Sequence, residues 1–114
     1  VVTTGKNFVA SRMKDTTKAA MTHMAVGTDN TTAAAGQSAL VSETARGALT
    51  STTVTANAIA YVETFAAGTG TGALVEAGLF NASSGGDMLC RTVFAVVNKG
   101  SADSMTITWT ITVS

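Results

Sequence analysis

The stretch Leu74–Val97, LVEAGLFNASSGGDMLCRTVFAVV, decides how the whole chain is read. Ala77, Gly78, Leu79 and Phe80 end a first β-prone arm. Asn81 to Asp87 is a polar loop, and its Gly85-Gly86 pair reaches positive φ without a Cβ penalty. Met88 to Val97 returns rich in Val, Phe, Thr and Leu, side chains that suit a half-buried pleated surface. Two such runs around a glycine-containing loop predict a β-hairpin with a connection longer than the two-residue ideal. Phe80 and Phe94 are the large residues that it offers to a core.

Outward from this hairpin, most of the chain keeps a period of two. Met105 to Val113 alternates most cleanly: Met105, Ile107, Trp109, Ile111 and Val113 share one face, and threonines share the other. The pattern predicts a central or near-central strand with Ile107, Trp109 and Ile111 in the core. Ala58 to Phe65 also alternates, and Asn57 separates it from the Thr-rich run Ala48 to Thr55, so the two predict an antiparallel pair. Ala20 to Gly27 reads as a further strand. Thr28 to Gly36 and Ala66 to Gly72 read as loops. Ser38 to Ala45 predicts one helical turn with Leu40 and Val41 inward. Near the start, Lys6 to Asp15 predicts a short helix with Phe8, Val9 and Met13 on one side and Thr4 as its cap. So short a helix is marginal alone and must dock on the sheet. The expected fold is mainly β: an antiparallel β-sandwich with a short N-terminal helix and one short helical turn, residues 1–114 forming a single module.

Composition narrows the function classes. Charged residues make up 12%, about half the usual share, and seven Lys and Arg balance seven Asp and Glu. A neutral chain has no electrostatic footprint for nucleic acid or an anionic membrane. Its poorly charged surface favours association. No apolar run approaches the ~18 residues of a membrane-spanning helix. The single cysteine, Cys90, excludes a disulfide framework. His23, the single histidine, has no carboxylate near it in sequence to orient it as a base. One His and one Cys fall short of a zinc site, so no metal and no cofactor are expected. Glu63 and Glu76 are the carboxylates that glycoside cleavage would need, but no aromatic platform accompanies them. The glycine-rich run Gly68, Gly70 and Gly72 lacks the following helix that phosphate binding requires. Were calcium bound, Asp29 and Asn30 in the loop Thr28 to Gly36 are where it would sit. Neither a catalytic nor a cofactor-binding set can be assembled, and the expectation is a protein that is not an enzyme.

Several segments, in order, resemble the phage tail-collar fibre family. Thr22–Gly27, THMAVG, is similar to its first strand. Ser38–Arg46, SALVSETAR, resembles its Leu-x-x-Glu-x-x-Arg segment through Leu40, Glu43 and Arg46. Val75–Asn81, VEAGLFN, resembles its Glu-x-Gly-Leu-Phe strand end, and Val97–Gly100, VNKG, precedes the last strand. The helix at Lys6 to Met13 matches the family's opening helix. The resemblance covers most of the chain and makes Glu43 with Arg46 a candidate for a buried, fold-specific bridge; Glu76, read on its own as marking a strand end, is a further bridge candidate that meets Arg46 or Arg91. Family members continue into a long fibre, whereas this sequence stops at Ser114, which leaves a free-standing virion protein or an excised domain. The resemblance implies a bacteriophage virion structural protein, with capsid decoration or cement as the first reading and a tail-collar or tail-fibre attachment module as the alternative. A ligand- or carbohydrate-binding β-sandwich is the second alternative. A virion location on capsid or tail surface, synthesis in the host cytoplasm, a homo-oligomer (a trimer by analogy) and contacts with major capsid or tail proteins are expected. Val1, Val2, Phe8 and Met13 are the candidate docking residues, in an N-terminal arm Val1 to Met13 that contacts the partner together with the loops Thr28 to Gly36 and Ala66 to Gly72; deleting Val1 to Asn7 is expected to weaken attachment and leave the sandwich folded.

Overall fold

The computed structural model describes residues 1–15 and 17–113. One helix, α1 (Thr3–Lys14), precedes seven strands: β1 (His23–Gly27), β2 (Glu43–Ala48), β3 (Ser51–Thr55), β4 (Ala58–Phe65), β5 (Gly72–Phe80), β6 (Met88–Lys99) and β7 (Met105–Thr112). They form two antiparallel sheets, the first ordered β2-β1-β5-β6 and the second β3-β4-β7. The mainly β, two-sheet architecture with one short helix is therefore as expected. The deciding hairpin falls where its chemistry puts it. β5 ends at Phe80, β6 begins at Met88, and Gly85 and Gly86 between them have φ of 59° and 72°.

The first sheet is covered on both faces. Met24, Val26, Leu74 and Leu79 point between the sheets and meet Tyr61 and Phe65 of β4. On its other face Ala25, Phe80 and Met88 lie beneath Val2 and Leu40. This double burial explains why β1 and the end of β5 read as continuous apolar runs rather than alternating ones.

Four expectations need correction. Ser38 to Ala45 is not a helical turn: Glu43–Ala48 is the strand β2, antiparallel to β1, and of the two residues expected inward Leu40 is buried while Val41 is exposed. The second sheet has β4 at its centre, so β7 is an edge strand. Ile107, Trp109 and Ile111 accordingly pack against the core only half-buried, as does Phe94 on the other edge strand β6; Phe80 is fully buried. The helix begins at Thr3 after Val2, so Thr4 lies inside it and caps nothing. Its buried residues are Gly5 and Phe8, while Val9 and Met13 face solvent. The docking candidates therefore divide. Val1 and Met13 are 57% and 84% exposed, but Val2 and Phe8 are 3% and 8% exposed and belong to the chain's own core. Val2 N–H also donates to Leu89 O at 3.2 Å and Thr3 N–H to Ala35 O at 2.8 Å, so the N-terminal segment is a fixed part of the fold and not a removable arm.

Candidate functional site

The polar chemistry of the chain gathers on the outer face of the first sheet, under the loops that follow β1 and β5. Glu76 stands in mid-strand on β5, opposite Gly27 of β1. Its side chain and that of Arg91 on β6 are both wholly buried, with Arg91 Nε donating to Glu76 Oε1 at 2.9 Å. Arg91 pairs in register with Gly78, two residues from Glu76, so the two side chains meet diagonally on one face. Burying two charges is costly unless every lone pair and proton finds a partner. Here they do. Glu76 Oε1 also accepts from Val41 N–H at 3.0 Å, and Oε2 accepts from Ser42 N–H at 2.9 Å and Asp29 N–H at 3.2 Å. Arg91 donates onward to Thr31 O at 2.7 Å, Asp29 O at 3.2 Å and Gln37 Oε1 at 3.3 Å. One ion pair thus holds the loop between β1 and β2 at five residues. Gly27 is required beneath it, because a Cβ there would collide with the Glu76 carboxylate and the Ser42 carbonyl.

Glu43 and Arg46 form a second tie. Arg46 Nη2 donates to Glu43 Oε1 at 2.7 Å and Nε to Oε2 at 3.1 Å, a bidentate pair. In a regular strand, residues three apart point to opposite faces. The register of β2 against β1 slips between Val26 and Gly27, which leaves Thr44 as an extra residue and brings Glu43 and Arg46 to the same side. The guanidinium stacks 3.7 Å from the Phe80 ring centroid, and its Nη1 donates to Ala82 O at 3.1 Å and Gly85 O at 2.9 Å. This tie clamps the β5–β6 loop. Of the predicted bridge residues, the structure therefore brings Glu43 to Arg46 and Glu76 to Arg91, and does not join Glu76 to Arg46.

The remaining candidate groups are engaged locally. Glu63 is buried on β4 and accepts from Thr64 N–H at 2.7 Å and Thr50 Oγ1 at 3.1 Å. It lies on the other sheet from Glu76 and does not form a carboxylate pair with it. His23 Nδ1 lies 2.8 Å from Thr22 Oγ1. Burial pushes the Cys90 thiol up to about 12. Lys99 Nζ, buried, donates to Asp103 O at 2.7 Å and Ala66 O at 2.9 Å, which joins two loops at the far end of the sandwich. Hydrogen bonds from Thr31 hold the Asp29 carboxyl below its ordinary range. The main-chain oxygens of Asp29 and Thr31, which a calcium ion in that loop would use, face the Arg91 guanidinium instead. Lys99 and Arg91 organise loops, a role that the sequence reading misses beyond a meeting of Arg91 with Glu76. A charged residue inside an apolar strand run, as in Leu89-Cys90-Arg91-Thr92, is the signal that points to them.

Two clefts open at the edges of the sandwich. One of about 490 Å³ lies between β6 and β7, lined by Phe94, Val97, Met105, Ile107 and Trp109. Another of about 860 Å³ lies between α1 and the end of the second sheet, lined by Val9, Met13, Val54, Ile59, Ile111 and Val113 among others. Lys6, Arg12 and Tyr61 also line the second cleft, and neither cleft is lined by an Asp, Glu, His or Cys side chain. Among the described residues no group of three His, Cys, Asp or Glu side chains is placed to hold a metal ion. Among the described residues no helix is long and apolar enough to cross a membrane. Neither the protein-family models nor the curated proteins with which the chain was compared match it.

Proposed function

We propose that the chain is a non-enzymatic structural protein of a bacteriophage particle, a decoration or cement module that docks in multiple copies on the shell. The observation that carries this reading is the use made of the charged groups of the first sheet. Glu76 with Arg91, Arg46 with Glu43, and Lys99 tie loops to the sheets, and none of them lines either of the two clefts described above. Such ties make a rigid scaffold with fixed loop shapes, which suits docking more than turnover. The ordered resemblance of Thr22–Gly27, Ser38–Arg46 and Val75–Asn81 to the tail-collar fibre family supports the phage setting. Those segments include Glu43, Arg46 and Glu76, three of the residues that make the ties. The sugar-binding alternative is disfavoured by the aromatics: Tyr61 is buried and Trp109 is turned into a cleft, so neither forms an open platform.

The test is rebinding. Purified protein is added to phage particles that lack it, the particles are pelleted, and bound protein is located by electron microscopy. Saturable binding over the head supports decoration. Binding confined to the tail selects the collar or tail-attachment reading. Protein that stays wholly in the supernatant contradicts both.

A further inference from the structure

The outer face of the second sheet carries a further inference. Of the seven Lys and Arg and the seven Asp and Glu in the chain, Glu63 alone lies on β3, β4 or β7, and it is buried toward the core. The outward positions are all Ser, Thr, Ala or Val: Thr106, Thr108, Thr110 and Thr112 on β7, alternate Ser and Thr on β3, and Ala58, Ala60, Val62 and Thr64 between them. The β7 and β3 positions are exposed. The registers of β3 with β4 and of β4 with β7 run without a slip, whereas the outer pairings of the first sheet are both bulged. Both edges of the second sheet also lack the charges, proline and bulges by which edge strands are usually protected from pairing.

We propose that this face, with its two open edges, is the surface through which one copy of the chain binds another. Charge identifies the occupant. A neutral face offers nothing to steer a nucleic acid, an anionic lipid or a charged peptide, and its complement must be neutral too. Hydroxyl chemistry makes the face complementary to itself. A threonine both donates and accepts, so a hydroxyl-rich surface can satisfy an identical one, as donor-only or acceptor-only surfaces cannot. One such pairing is already present within the sheet, Thr64 Oγ1 to Thr106 Oγ1 at 2.9 Å. Alanine and the β-branched side chains lose little rotamer freedom on burial, so ordering this face costs little. Strands of five, eight and eight residues, ~4.8 Å apart with ~3.4 Å per residue, give a face of roughly 340 Å². That is less than half of the ~800 Å² per partner in a stable pair, so the face acts together with the β3 or β7 edge. Association is therefore concentration-dependent in free solution and strengthened where copies are held side by side.

This inference deepens the proposed function by naming a second copy as partner, and it is tested without particles. Sedimentation velocity of the full chain over a wide concentration range is compared with Thr108→Lys/Thr110→Lys, exposed positions where lysine leaves the core intact. Circular dichroism checks the fold, and Thr53→Lys on β3 reads the same face should the double variant fail to fold. The expected result is a sedimentation coefficient that rises with concentration, and an association constant lowered about tenfold or more by the lysines. A chain that stays monomeric throughout, or association that the lysines leave unchanged, overturns the proposal. A monomer whose lysine variants lose only particle binding also overturns it, since a shell protein then occupies the face. Self-association without any particle binding instead contradicts the decoration reading and leaves this one standing.

Discussion

At position 76 a carboxylate in the middle of a strand meets four donors, and at position 91 a guanidinium meets four acceptor atoms. Removing one member of such a pair leaves the other buried and unpaired, so Arg91→Met is expected to cost about 3–5 kcal/mol in denaturant unfolding. Hydrogen exchange gives the local counterpart: in Glu76→Gln the amides of Val41, Ser42 and Asp29 lose protection, while amides of β4 keep theirs. Cys90 gives a pH signature of the opposite chemical type. Its thiol titrates near 9.0 in an open environment and at about 12 in the fold. Between those values the unfolded chain has released a proton that the folded chain retains, so stability falls as pH rises through that window. A Cys90→Ala variant followed by alkaline melting checks this, and the slope should be shallower than in the parent.

Among the elements, β2 shows where reading the sequence succeeds and where it stops. The hairpin of β5 and β6 was legible because its loop needs glycine at positive φ and its arms carry β-branched and aromatic residues. The pair of β3 and β4 was legible through its alternation. Ser38 to Ala45 reads as a helical turn with Leu40 and Val41 inward, and a helix would also bring residues three apart, such as Glu43 and Arg46, together. A bulge does the same in a strand, and nothing local in Ser-Glu-Thr-Ala-Arg distinguishes the two. The edge position of β7 was likewise invisible, because alternation reports one buried face and says nothing about which neighbours a strand has. The candidate site was half legible: Glu43, Arg46 and Glu76 could be singled out, but the partners that make them ties come from distant loops. The bulge leads to a prediction of its own. Deleting Thr44 removes the extra residue and leaves Glu43 and Arg46 two apart, on the same face of a regular ladder, so their pair should survive it. The melting temperature should then fall less than in Arg46→Ala, which breaks the tie and should make the Asn81–Asp87 loop more susceptible to proteolysis.

The whole molecule divides its chemistry between its two sheets. The first carries Glu43, Arg46, Glu76, Arg91 and Lys99 and uses them to fix loops; the second has an outer face without charge and two unprotected edges. A protein of this kind gains from being held among copies of itself or on a larger surface, because its neutral edges are then covered. The virion reading and the self-association of the second sheet are separate proposals that meet at this point. Copy number tests the central claim most directly. Phage particles purified to constant density are digested, and this chain is counted against the major shell protein by quantitative mass spectrometry. The account predicts many copies per particle, in a fixed ratio to the shell protein that survives repeated purification. Loss of the chain during purification, or a trace amount that varies between preparations, would contradict it.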